Sequence, residues 1–246
     1  MSERAGFYRR TLESLLADGV LARDDRILVV AGGEADREAF AGFPSVTITN
    51  VSPEEGEEFQ DAEALTYEDG SFDFAVVSAG LHHCRSPHRA VLELYRVARK
   101  GLLAVEARDS LLMRATIRAG VTPDYELTAV AAHDFRSGGV GNTATPNYVY
   151  RWTEREVEKT IRSAAPHAHH RFLWFHEFEL PFSVVRGPWA VVARVANPVL
   201  TAFTKVLPSQ ANLFAFAVVK TGELQPWMRD PETPDEQEIR RLLSYY

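Results

Sequence analysis

Two histidines stand side by side in "SAGLHHC" (78–84), directly after an apolar run. Imidazole titrates near neutral pH, so His82 or His83 is a candidate general base for a hydroxyl proton. Glu106 and Asp109 close another apolar run, and "NYVYRW" (147–152) sets Tyr148 beside Arg151. With His133, these five residues are candidates for binding a hydroxylated or anionic small molecule. No three side chains fall at metal-ligand spacing, so no metal site is expected. His167, His169 and His170 are read as solvated, in a turn before a strand. The one cysteine, Cys84, cannot form an intramolecular disulfide.

Something must position these groups, and the bulk composition suits a globular scaffold. The chain has 246 residues, 46% hydrophobic and 25% charged. A net charge of −7 argues against a nucleic-acid groove, which needs clustered Lys and Arg. The N-terminus "MSERAGFYRR" lacks an apolar stretch behind its charges, so a cytoplasmic protein is expected. The most apolar segment, Trp189 to Leu207, carries Arg194, Asn197, Pro198 and Lys205. Charges at its centre disfavour a membrane span and point to a core-packing or partner-facing helix, compatible with a homo-oligomer.

Apolar periodicity sets out the elements. A helix is expected over 7–21, strands over 26–31, 45–50, 71–79 and 101–107, and helices over 34–41 and from Pro87 to Arg99. Residues 52–60, acidic and turn-rich, read as an exposed loop. A helix over 111–120 precedes a Gly-, Thr- and Pro-rich stretch to 150, an insertion long enough to serve as a cover. Thr153 with Glu156 three residues on marks a helix start at 151–164. Closing strands follow at 170–180 and 212–222, then a polar tail (223–246) expected to be surface-lying and partly disordered. Alternating strands and helices imply a parallel sheet, whose ligands collect at the carboxyl ends of the strands.

Residues 61–101, "DAEALTYEDGSFDFAVVSAGLHHCRSPHRAVLELYRVARKG", resemble the cofactor domain of class I S-adenosylmethionine-dependent methyltransferases, in the methyltransferase type 11 group. The resemblance implies a Rossmann-like α/β fold: a mostly parallel seven-stranded sheet, abbreviated in the middle, flanked by helices and carrying an inserted cover. One domain would span 1–222, with the cofactor half at 20–108, the cover at 109–150 and closing elements at 151–222. It further implies S-adenosylmethionine as cofactor. Asp61 would accept from the adenine amine and Ala62 donate its backbone N–H to the ring. Ala31, Gly32 and Gly33 would form the loop after the first strand. Asn50 would meet the ribose, and Ser78, Ala79 and Gly80 the methionine portion. A small-molecule or sugar acceptor would bind under the cover, close to Glu106, Asp109, His133, Tyr148 and Arg151.

Against the family's Val-Leu-Asp-Val-Gly-x-Gly-x-Gly, this chain places Ala31, Gly33 and Ala35 at the three glycines, and Asn50 replaces the usual ribose-gripping acid. Ten residues between Asn50 and Asp61 cannot supply both a helix and a strand, so either the strand pair is abbreviated or "DAEAL" itself makes a minimal edge strand. These departures motivate the alternative of a catalytically silent protein of the same fold, acting as a binding or scaffolding partner.

Overall fold

The computed structural model describes residues 3–179 and 188–244. Seven strands form a single sheet: β1 (Ile27–Val30), β2 (Val46–Asn50), β3 (Glu58–Phe59), β4 (Phe72–Ser78), β5 (Ala98–Ala107), β6 (Ala168–Glu177) and β7 (Leu213–Leu224). Their order is β3-β2-β1-β4-β5-β7-β6. The pairs from β3 to β5 are parallel, whereas β7 runs antiparallel to both neighbours.

The central strands are apolar on both faces because both are covered. Alternate residues of β1 belong to two separate cores: Leu28 and Val30 to one, Ile27 and Val29 to the other. Helix α1 (Glu3–Ala17) covers the second through Phe7, Leu12 and Leu15. Helices α3 (Pro87–Val97) and α6 (Glu154–Ala164) cover the first, with Val91, Leu94, Val157 and Ile161 fully buried. The short α2 (Glu34–Ala39) follows β1. The insertion between β5 and α6 holds α4 (Leu111–Arg118) and α5 (Leu127–Ala132).

Several local expectations hold in detail. Thr153 caps α6 by accepting from the Glu156 N–H at 3.3 Å, and Pro87 opens α3. Beyond these, the start of β4 is held by Asp73, whose Oδ2 accepts from the Arg26 N–H at 3.0 Å. Other expectations differ. The segment read as an exposed loop contains β3, joined to β2 with no intervening helix, so the strand pair is abbreviated and "DAEAL" makes turns instead. Only two residues long, with both side chains exposed, β3 carries no apolar signature. His170 is not solvated: it lies on β6, buried, and shares a 2.8 Å hydrogen bond with Tyr95. The tail forms α8 (Glu236–Leu243), whose first N–H groups donate to the Asp235 carboxylate.

The apolar segment forms α7 (Pro188–Val206). In its C-terminal part Val199, Phe203 and Val206 are exposed apolar side chains while Thr204 is buried, and the side chains of 189–196 lie outside the described residues. No described helix is long and apolar enough to cross a membrane.

A partly buried charged link ties the far end of β5 to the closing elements. Arg108 Nη1 meets Glu154 Oε2 at 2.7 Å, and Glu154 Oε1 meets His176 Nε2 at 2.7 Å. Burial works against the Glu154 charge, but the hydrogen bonds from His176 and Arg108 prevail and draw its pKa down to about 2. A folded pKa below the unfolded one gives stability that is present above about pH 4.3 and lost as pH falls toward 2. We expect Glu154→Gln to cost about 2 kcal/mol near neutrality, allowing for partial exposure. The urea midpoints of the two proteins should converge as pH falls through that window. A separation independent of pH would refute this account.

Candidate functional site

Strand ends build the site. At the carboxyl edge, β1 and β4 lie side by side and each ends in an alanine with left-handed backbone, Ala31 at φ +52° and Ala79 at φ +55°. An L-residue there costs roughly 1–2 kcal/mol, so the surrounding packing imposes both turns. A Cβ on Gly80 would come within 2.7 Å of the Ala31 Cβ, which shows how closely the two tips approach.

The loop after β1 requires small residues for reasons other than those the motif suggests. A Cβ on Gly32 would lie 2.6 Å from Ile48 Cγ2 and 2.9 Å from Val29 Cγ1, so this position is closed to any side chain. Gly33, expected to be the critical glycine, has extended backbone, and a Cβ there would meet nothing within 4 Å. Its N–H donates to Asp36 Oδ2, and the other oxygen of this buried carboxylate accepts from the Tyr8 hydroxyl.

Asn50 bridges the same loop to the next. Its Nδ2 donates to the Gly32 carbonyl at 3.0 Å, and its Oδ1 accepts from the Ser52 N–H. Together with Gly32, Gly33, Arg37, Glu54 and Glu57, it lines an open hollow of about 540 Å³. Beyond β3, Gln60 and Thr66 exchange two hydrogen bonds that clamp the "DAEAL" turn. Glu63 anchors the turn by accepting from the Arg85 and Ser86 N–H groups. Within the turn Asp61 is exposed, while Ala62 is buried and its N–H has no acceptor among the described residues. An exposed carboxylate beside an unsatisfied N–H is the acceptor-donor pair that an adenine edge needs. The nine expected cofactor residues thus share the carboxyl edge of four adjacent strands, β3 to β4, and their chemistry fits S-adenosylmethionine.

The expected acceptor residues divide into two groups. Asp109, Tyr148 and Arg151 line a second hollow of about 450 Å³ under the insertion, with Arg114, Arg118 and Tyr150. Asp109 is paired with Arg114, and Arg151 with Asp124 plus the Pro123 and Val149 carbonyls. The ends of the insertion are pinned, since Trp152 donates to the Ala107 carbonyl and accepts from the Asp109 N–H. His133 belongs to neither group: exposed at the end of α5, it bonds its own helix at the Ala129 carbonyl.

Glu106 joins the two histidines instead. Its buried carboxylate accepts from the Leu81 N–H at 2.7 Å and meets His82 Nδ1 at 2.8 Å. From the insertion comes Glu126, whose Oε2 lies 3.3 Å from both His82 Nε2 and His83 Nε2. Burial opposes a charge on His82, but Glu106 and then Glu126 outweigh it and push its pKa up to about 9. Glu126 is drawn down to about 2, chiefly by its hydrogen bond with His82. Burial and the neighbouring His82 charge lower His83. In this state His82 already holds its proton, so only His83 is suited to act as a base.

Three potential ligands therefore converge, although sequence spacing offers none: one donor atom each from His82, His83 and Glu126, all within 4.8 Å of one another. Glu126 escaped notice because no local signal marks it; it reaches the histidines only when the insertion folds back over β4.

Comparison with known proteins agrees with this architecture. Residues 48–105 match the family model of a methyltransferase domain. No curated protein matches the chain. A structure described as a putative sarcosine dimethylglycine methyltransferase from Galdieria sulphuraria is 14% identical, with 88% of this chain and 85% of that one covered and a TM-score of 0.51. A SAM-dependent methyltransferase from Thermotoga maritima, described as a possible histamine N-methyltransferase, is 18% identical over 85% and 89% of the two chains, with a TM-score of 0.47. A putative methyltransferase from Bacillus halodurans is 16% identical over 85% and 96%, with a TM-score of 0.44. The family match covers about a quarter of the chain, and the seven-stranded sheet has the fold of the Galdieria sulphuraria structure.

Proposed function

We propose that this protein transfers the methyl group of S-adenosylmethionine to a hydroxylated small molecule such as a sugar, bound under the insertion. The observation that carries this reading is the placement of the adenine-type pair, Asp61 and the Ala62 N–H, on the same sheet edge as the open β1 loop. When bound, the cofactor supplies an electrophilic methyl on a sulfonium. The chain's own task is alignment, which dominates an in-line displacement. Asn50 holds the β2 loop against Gly32 and so shapes the cofactor hollow. Asp109 and Arg151 are neutralised by internal partners, while Tyr148 and the exposed Arg118 also line the second hollow, groups that suit a hydroxylated or anionic acceptor.

Isothermal titration with S-adenosylmethionine tests the proposal. Binding in the micromolar range is expected, with Asp61→Ala about tenfold weaker from loss of one charge-assisted contact. Gly33→Val is a clean reporter, because a Cβ at this position meets no protein atom within 4 Å and folding is expected to stay intact. A loss of affinity in this variant would place the ligand against the loop. No detectable binding at millimolar cofactor would instead favour the catalytically silent scaffold.

A further inference from the structure

We propose that His82, His83 and Glu126 bind a first-row divalent transition cation of the Zn²⁺ or Fe²⁺ kind, held between the end of β4 and the insertion. Both imidazole Nε2 atoms lie 3.3 Å from the same Glu126 oxygen, and the three donor atoms all lie within 4.8 Å of one another. Metal bonds of about 2.0–2.1 Å at the tetrahedral angle set ligand atoms roughly 3.3–3.4 Å apart, so a cation fits between Glu126 and each ring.

The surroundings support the same conclusion. His82 Nδ1 faces Glu106 at 2.8 Å, and Glu106 is itself held by the Leu81 N–H. This carboxylate-histidine arrangement fixes the ring and leaves Nε2 free to ligate, as outer partners do around metal-bound histidines. Asn147, only 1% exposed, donates to Glu126 Oε2 at 3.3 Å, while its own Oδ1 has no partner. A buried, unsatisfied polar atom beside the ligand set calls for a further group there. Two carboxylates and a dication leave the cluster neutral. Two imidazole nitrogens with one carboxylate select borderline cations over Mg²⁺ or Ca²⁺, which prefer all-oxygen shells. Three protein ligands leave a coordination position open. Once a cation is bound, His83 serves as a ligand and its role as a base lapses.

The test uses the full chain, stripped by chelator and titrated with ZnCl₂ by calorimetry and with CoCl₂ by absorption. One equivalent per chain is expected, together with the intense visible bands of low-coordinate Co²⁺. His83→Ala and Glu126→Gln should each weaken binding about 100-fold, and Glu106→Gln by roughly 10–100-fold through loss of the outer partner. His133→Ala, on an exposed ring elsewhere in the insertion, should bind as the parent does. Circular dichroism confirms folding of each variant. Absence of binding below about 1 mM, an affinity of His83→Ala and Glu126→Gln unchanged from the parent, or displacement of Zn²⁺ by millimolar Mg²⁺ would each overturn the proposal. The readout is metal occupancy, so its outcome does not depend on methyl transfer.

Discussion

Glu106→Ala should lower stability by about 3–5 kcal/mol, the cost of removing one member of a buried charged pair. Glu106 is 2% exposed and serves two partners, the Leu81 N–H and the His82 ring. Its removal leaves a buried N–H without an acceptor, strands the imidazole beside an empty space, and loosens the turn that connects β4 to α3. Urea unfolding at neutral pH would show the loss as a shifted midpoint with unchanged slope. Glu106→Gln is the informative companion. Its carbonyl can still accept from Leu81, so it should recover part of the stability, yet the lost charge leaves His82 wrongly oriented and methyl transfer impaired. A purely structural Glu106 would leave kcat unchanged in the folded Gln variant. An alanine variant within about 1 kcal/mol of the parent would show that the Glu106 contacts contribute little.

Gly101→Val should be the most damaging change in the sheet, costing well over the roughly 1–3 kcal/mol of ordinary overpacking. Gly101 pairs with Phe74 of β4 and Val219 of β7, where the parallel half of the sheet meets its antiparallel strand. A Cβ there would lie 2.4 Å from the Val218 carbonyl oxygen and 3.1 Å from Phe74 Cε2. The first contact is with backbone, which cannot rotate aside. Glycine inside a strand marks such a close approach. Loss of soluble expression, or a collapse of the thermal midpoint relative to Gly33→Val, is the expected result. A midpoint close to that of Gly33→Val would mean that β7 can shift at no cost.

Much of the sheet was legible from residue order. Strands β1, β4 and β5 are apolar on both faces because helices cover both, and that doubled burial writes itself as the runs "ILVV", "FAVV" and "LLAV". The Thr153 cap of α6 and the proline at the start of α3 are one-residue chemistry that acts within a single turn, so they too can be read directly. Strand β3 left no such trace. Its existence depends on backbone hydrogen bonds to β2 at an exposed edge, which place no demand on side-chain type.

The cofactor loop shows where motif and structure part. Glycine spacing pointed to Gly33, but the position that no side chain can enter is Gly32, because Ile48 on the neighbouring strand fills the space. The left-handed turn falls on Ala31. Which residue must be small is a property of strands packed side by side, and local order does not contain it.

By itself, the sequence determined the family resemblance, the strand and helix succession, and the candidate residues at the strand ends, because each rests on interactions within a few positions or on burial common to a whole segment. Only the tertiary structure decided how those candidates group. It placed Glu106 beneath His82, brought Glu126 and Asn147 across from the insertion, and set His133 apart. The reason is that such a cluster is made by chain folding over long separations, where a carboxylate in a polar segment looks no different from its solvated neighbours until a histidine is opposite it.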